Sequence, residues 1–487
     1  MPDASTIRLS RPIRAAVASV DITDLVSLEF RGKHRGAPAQ TGRLTGRVLM
    51  LTEGQQEILL IALDLLELYQ PWMERFKRAL WRYLNVPPAN IIVWCNHIHA
   101  AGNSDGVAEV PLADRLAWGI GQAREDYTPV EWAYAGKDLG PGWTIRRRFA
   151  IDDLETFCVM FNDDCRVEGE RLEVSGQVLA YLRDRGVDPA VWSGNGRRAY
   201  CEPPADTRLE LLSLRRRDDR RPLASILRFA AHPTIASHSK IGNALCPDYV
   251  GSLRSTFERQ FGSTAIFLQG PCADVRPLHE QYGVEAADAY GRRLADQAAT
   301  LVRSLRYRPV RRAGIARQFA SVRLRPEYQW SLERVAKEWE RTARKFAAEK
   351  APARRLALRR RIEALQWVEF HQVKRPTIIP PAVLKSGTWP MEVSAVRLGG
   401  ATLVNLPGEI FAATGKAVRQ ALAGRAVREP VIVTELAGPY ANYVSPTDEY
   451  GSGGYEDTCC FLDEKAEPAL KRAAIKAARA ARSDGNE

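Results

Sequence analysis

No apolar run in the chain approaches the roughly 18 residues needed to span a bilayer. The opening Met1-Pro2-Asp3-Ala4-Ser5-Thr6-Ile7-Arg8 lacks the hydrophobic stretch of a secretory signal. Neither membrane insertion nor export is expected. Eight cysteines (Cys95, Cys158, Cys165, Cys201, Cys246, Cys272, Cys459, Cys460) contain no CxxC pair, and a chain of this length needs no disulfide staples. Reduced thiols and a cytoplasmic setting are the expectation. There is no internal repeat and no recognisable RNA- or DNA-binding module. A formal charge of +12 attracts polyanions in principle. Much of the positive charge, however, lies in Arg215-Arg216-Arg217 with Arg220-Arg221, between Arg341 and Arg361, and in the C-terminal tail. In the latter two they alternate with Glu, Ala and Leu at helical spacing, as solvated helix faces do. The partner expected is a small molecule, with no nucleic acid and no membrane.

The 487 residues exceed a typical domain of roughly 100–200 residues several-fold, which fits one large body with insertions or two domains sharing a core. Strand and helix patterns alternate, giving an α/β (α+β) class with a mixed sheet. Strands are expected at Arg47–Leu51, Glu57–Leu63, Ile91–Cys95, Thr156–Phe161, Ala224–Ala231, Thr264–Leu268, Met391–Leu398 and Thr402–Leu406. Helices are expected at Pro71–Tyr83, Tyr249–Gln260 and Val284–Leu305. The Gly, Pro, Asp and Trp content of Asn103 to Arg148 suggests a loop-rich active-site surface. From Pro326 to Lys374, Leu332, Val335, Trp339, Phe346, Leu356, Leu358, Ile362 and Leu365 are spaced among charges. That pattern predicts a charged helical hairpin bent at Ala351-Pro352, serving as a brace, a lid or an arm for a homo-oligomer. Residues 464–487 read as a basic surface helix and tail.

The most informative segment is Ile91-Ile92-Val93-Trp94-Cys95-Asn96-His97-Ile98-His99, a β-branched run that empties into two histidines. In a strand, residues two apart share a face, so His97 and His99 are expected to project together from its carboxyl end. Two converging imidazoles suit zinc, either ring suits acid–base work, and both could equally be hydrogen-bonded and inert. Ala230-Ala231-His232-Pro233 repeats the device, a strand that ends in a histidine. Leu406-Pro407-Gly408-Glu409 sets a carboxylate on a turn, as a ligand or as a favourable charge at a helix start. Pro439-Tyr440-Ala441-Asn442-Tyr443 crowds phenols into a loop, where they are packing, ligands or acids.

In order, Ala15–Thr23, Leu63-Asp64-Leu65, Asn96-His97-Ile98-His99, His232-Pro233-Thr234, Gln269–Val275, Leu406–Glu409 and Tyr440–Val444 resemble motifs of the neutral/alkaline ceramidase family. These are zinc-dependent amidases that cleave the N-acyl bond of ceramide. The resemblance spans residues 13–456 as a catalytic domain, with the 326–374 hairpin inserted in it. It implies Zn²⁺ held by His97, His232, Glu409 and Tyr443, with His99 and Tyr455 as catalytic neighbours and Arg147 as a substrate-binding residue. One departure stands out: where the family has serine, this chain has Arg276, in Ala273-Asp274-Val275-Arg276-Pro277. An arginine facing the metal favours a carboxylate or phosphate on the substrate; alternatively it turns outward or pairs with Asp274. The family also continues into an immunoglobulin-like domain and is generally exported, which makes a membrane lipid a less expected substrate here. The resemblance, taken with these departures from it, leads to the expectation of a zinc-dependent hydrolase of an amide or related acyl bond in a small polar, anionic molecule. A non-catalytic metal-binding member, a phosphoester hydrolase and an acyl transferase are the alternatives.

Overall fold

In the computed structural model, the residues described are 4–10, 12–26, 41–140, 142–151, 155–158, 165–168, 171–174, 205–238, 242–243, 245–279, 281–374, 376–423 and 429–483. Two mixed sheets dominate. The larger runs in the order Thr264–Gln269, Pro222–Phe229, Arg208–Arg216, Thr128–Asp138, Arg14–Asp21, Thr45–Glu53, Gln56–Leu63 and Ile91–Cys95, with Arg308–Pro309 pairing Thr128–Asp138 off this path. Its outermost pairs at each side are parallel and the pairs between them antiparallel. The smaller sheet runs Ser5–Leu9, Ala313–Arg323, Thr388–Leu398, Ala401–Asn405 and Val431–Thr434, with the last pair parallel.

The strand sequences are near-continuous apolar runs because both faces of each sheet are covered. Leu49, Leu51, Leu60, Ile92, Ile226 and Ile266 on one face of the larger sheet share a core with Ile315, Val396, Leu403 and Ile432 of the smaller. Val48, Met50, Ile61 and Val93 alternate with them and face the other way. They pack in a second core with Trp72, Phe76 and Leu80 of the Gln70–Leu84 helix and Leu116 of the Glu109–Ala123 helix. The paired helices Asp248–Phe261 and Val284–Val302 belong to the same core.

Three regions depart from the sequence expectation. The stretch 103–148 is not mainly loop: it holds the Glu109–Ala123 helix and the eleven-residue strand Thr128–Asp138, which sits mid-sheet. The C-terminal helix Ala466–Arg482 is not a surface appendage. Its Leu470, Ala474, Ala477 and Ala478 are buried against the smaller sheet, and only its remaining faces carry the Lys and Arg. The expected strand at 156–161 is seen as Glu155–Cys158, and 159–161 lie outside the described residues, as do 484–487 of the tail. The charged hairpin is present as Leu332–Ala348 and Pro352–Lys374, packed on each other. Ser331 caps the first helix, accepting from the Arg334 amide at 3.2 Å. Leu332, Trp339, Phe370 and Val373 remain exposed on it. No helix among the described residues is long and apolar enough to cross a membrane.

Candidate metal centre

Three parallel strand pairs, Gln56–Leu63 with Ile91–Cys95, Pro222–Phe229 with Thr264–Gln269, and Ala401–Asn405 with Val431–Thr434, deliver their carboxyl ends to one place. Such ends are where open α/β sheets carry ligands. Backbone bonds tie the two sheets together there: the Cys95 amide donates to Leu436 O at 3.1 Å and the Glu435 amide to Gln269 O at 3.0 Å. The histidines do not project from the strands themselves. Ile91–Cys95 ends two residues before His97, and Pro222–Phe229 ends three before His232. His97 turns back with φ +59°, a left-handed conformation that non-glycine residues rarely hold. Asp64, the residue after Gln56–Leu63, supports that turn by accepting from Asn96 Nδ2 at 2.7 Å and from Arg254 at 2.8 and 2.6 Å.

His97 Nδ1 lies 3.0 Å from Leu66 O, and His232 Nδ1 lies 3.0 Å from Val275 O. A carbonyl only accepts, so both imidazoles donate from Nδ1 and present Nε2 as a lone pair. Both Nε2 atoms then converge on one carboxylate oxygen: Glu409 Oε2 is 3.2 Å from His97 Nε2 and 3.1 Å from His232 Nε2. His97 Nε2 has no hydrogen-bond partner of good geometry among the described residues. Two lone pairs and an anion buried around a shared point require a positive charge between them, from a proton or a cation. The ligand types match a divalent first-row metal. Without a cation the site polarises itself. Burial works to lower the His97 pKa but the Glu409 charge prevails and raises it, whereas burial, reinforced by Arg147, pushes His232 down to about 4. Burial opposes ionisation of Glu409, yet His97 and His232 hold it well below the usual carboxylate range.

His99 sits beside them and is partly exposed, its ring 4.9 Å from that of His97 and 5.6 Å from that of His232. Nitrogen atoms of all three rings lie within 4.8 Å of one another, a spacing that also suits a metal ion. Glu409 is fixed by backbone pairing with Tyr443 and by the Gly408 turn. Gly408 has φ +77°, and a Cβ there would stand 2.5 Å from Asn442 O, so only glycine fits. Tyr443 is buried and accepts from Arg147 Nη2 at 3.1 Å, and its ring lies 5.6 Å from that of Tyr455. Arg147 is largely engaged within the protein, donating also to Glu456 at 2.6 Å and to Ala273 O at 2.6 Å. Arg276 is 3% exposed, which removes the outward-turned alternative. It lies opposite Ile145 in the short ladder of Val275–Pro277 with Thr144–Arg146, next to the carbonyl that orients His232. Asp274 accepts from Arg146 at 2.9 Å and from the Ala412 amide at 2.8 Å.

Sequence reasoning passed over several residues of this neighbourhood. Tyr440 donates to Glu409 Oε1 at 2.6 Å, although Tyr443 in the same loop was the phenol singled out. Cys272 donates to Glu435 Oε1 at 3.0 Å and lies 3.3 Å from His232 Nδ1. Trp367 and His371 come from the second hairpin helix: the Trp367 ring packs edge-on to Tyr455 at 5.5 Å, and His371 Nε2 is 3.5 Å from Asn442 Nδ2. Both helices' polarity pointed to solvent, but one face is a wall of the site.

No family model matches the chain, and no curated protein matches its sequence. Solved structures do resemble it. One is a ceramidase complexed with C2, at 14% identity and a TM-score of 0.63, covering 97% of this chain and 75% of that one. Another is a neutral ceramidase from Pseudomonas aeruginosa, at 14% identity and a TM-score of 0.62, covering 98% and 76%. At that identity the likeness speaks for architecture: the chain has a ceramidase-like fold.

Proposed function

We propose that this protein is a zinc-dependent hydrolase of N-acyl (amide) bonds in a small, polar, anionic substrate. The observation that carries the reading is the convergence of two Nε2 lone pairs on one Glu409 oxygen within a ceramidase-like fold. His97, His232, Glu409 and Tyr443 are the residues assigned to hold the metal. When bound, zinc supplies Lewis acidity, polarising a carbonyl and lowering the pKa of water towards neutrality.

The remaining chemistry belongs to the chain. Leu66 and Val275 carbonyls lock both imidazoles in the tautomer that leaves Nε2 available. Tyr440 holds Glu409 in place through its 2.6 Å bond. His99, partly exposed beside the two buried histidines, is the group assigned to carry a proton to the departing amine. Tyr455 is assigned to stabilise charge on the scissile oxygen. Arg276 takes the anionic end of the substrate, while Arg147, engaged with Glu456, Ala273 and Tyr443, serves chiefly to position Tyr443. A cytoplasmic setting is part of this reading.

Metal-stripped and zinc-reloaded protein, assayed against N-acyl amino acids, ceramide and phosphoesters, tests this. The expected result is zinc-dependent release of carboxylate from N-acyl amino acids, with ceramide cleaved far more slowly. Cleavage of phosphoesters alone, acyl transfer without hydrolysis, or no turnover by fully loaded protein contradicts it.

A further inference from the structure

A cleft of about 470 Å³ opens beside Pro407 and Pro439, the residues that lead into the Gly408-Glu409 turn and into Tyr440. Its volume is in the ordinary range of small-molecule sites. None of His97, His99, His232, Glu409 and Tyr443 is among the described residues that line it, so it is a cavity separate from the histidine site. The Gln70–Leu84 helix supplies Met73 and, four residues on and therefore on the same face, Lys77. Strand Ala313–Arg323 supplies Arg317 and Phe319, two apart and again on one face. Trp389, Met391 and Glu392 come from the neighbouring strand Thr388–Leu398.

The charges in this cleft do not balance. Arg317 is 4% exposed; its Nε donates to Glu392 at 3.0 Å and its Nη2 to Ile91 O at 3.3 Å. Its Nη1 is buried and has no hydrogen-bond partner among the described residues. Lys77 likewise has no hydrogen-bond or salt-bridge partner among them. Glu74 and Glu392 are therefore two carboxylates for three cations, Lys77, Arg78 and Arg317. Burial lowers the Lys77 pKa and Arg317 adds to the fall, only partly countered by Glu392 and Glu74, so an added anion would relieve that amine. Buried polar groups in native proteins are nearly always satisfied, and a guanidinium that lines a ligand-sized cavity with one nitrogen unmet asks for an acceptor. The apolar walls of Met73, Phe319, Trp389 and Met391 exclude a fully hydrated anion as the natural occupant.

We propose that this cleft is a second small-molecule site that takes a monocarboxylate with an apolar body, the carboxylate held by Arg317 Nη1 and Lys77 and the body against Trp389 and Phe319. The inference does not depend on the reaction at the histidines.

Isothermal titration of the full chain with 4-phenylbutyrate tests it, with 4-phenylbutyramide and inorganic phosphate as controls. One site per chain is expected, with the amide and phosphate at least tenfold weaker, the scale of a lost charge-assisted hydrogen bond. Lys77→Met matches the side chain in length, and Arg317→Lys keeps the charge beside Glu392 while removing the planar fork. Each should weaken phenylbutyrate at least tenfold, and His232→Ala should leave it unchanged. The proposal is overturned by no binding of phenylbutyrate, by equal binding of the amide or of phosphate, by unchanged affinity in Lys77→Met, or by loss of binding in His232→Ala.

Discussion

Arg254→Met should destabilise the protein by an amount that depends on pH. Asp64 is fully buried and accepts from Arg254 Nη1 and Nη2 at 2.8 and 2.6 Å, Asn96 Nδ2 at 2.7 Å, the Thr45 amide at 2.7 Å and Thr45 Oγ1 at 2.9 Å. The substitution removes the two charge-assisted bonds and leaves the three neutral donors. Stranding one partner of a buried ion pair costs about 3–5 kcal/mol. Arg47, which donates to Thr45 Oγ1 at 3.2 Å, keeps a cation nearby and sets the loss near about 3 kcal/mol. In the native protein burial works to raise the Asp64 pKa, but Arg254 outweighs it and the net shift is downward. A carboxyl with a depressed folded pKa contributes stability that is full above its unfolded value, roughly 3.9, and is lost as pH falls through the folded one. Without Arg254, burial prevails and the folded pKa rises above the unfolded value, so the variant gains stability relative to wild type on acidification. The stability gap is therefore widest at neutral pH and narrows towards pH ~5. Urea unfolding followed by tryptophan fluorescence at pH 7.5 and pH 5, with m-values compared, measures it. A gap below about 1 kcal/mol at pH 7.5, or an equal gap at both pH values, refutes the reasoning.

His99→Ala should lower turnover by roughly 10²–10⁴-fold with metal content near wild type, as expected of a proton carrier; loss of metal would make His99 a ligand instead. Tyr440→Phe removes the 2.6 Å bond to Glu409 and should weaken metal affinity about 10–100-fold in a competition titration with a chelator; unchanged affinity contradicts its supporting role. Arg276→Ala should raise KM for carboxylate-bearing substrates by roughly one to two orders of magnitude, and unaltered KM values would place the arginine away from the substrate.

The core strands were legible because both of their faces are buried. Val48–Leu51 and Ile58–Leu63 form continuous apolar runs with few other readings. The Thr128–Asp138 strand was not, since its β-branched buried residues stop at Thr128 and Val130 and its remaining buried positions are Ala133 and Ala135. The Glu109–Ala123 helix hid Leu112, Leu116 and Ile120, a clean four-residue spacing, among Pro111, Gly119 and Gly121. Gly119 is there because a Cβ would meet Val20 at 2.4 Å. In the site, His97, His232 and Glu409 carry local signals, an apolar strand that ends near each. Tyr440, Cys272, Trp367 and His371 act through partners far off in sequence, and nothing local to them marks that role. The C-terminal helix misled because alanine forms both solvated and tightly packed helix faces, and only the sheet beneath it decides between them.

Metal content tests the central claim most directly. Protein purified without added metal and analysed by inductively coupled plasma mass spectrometry should carry about one divalent ion per chain, with zinc predominant. His97→Ala and His232→Ala, checked for folding by circular dichroism, should each lose most of it. Full occupancy in both variants, or native protein that stays empty after incubation with zinc, would contradict the account.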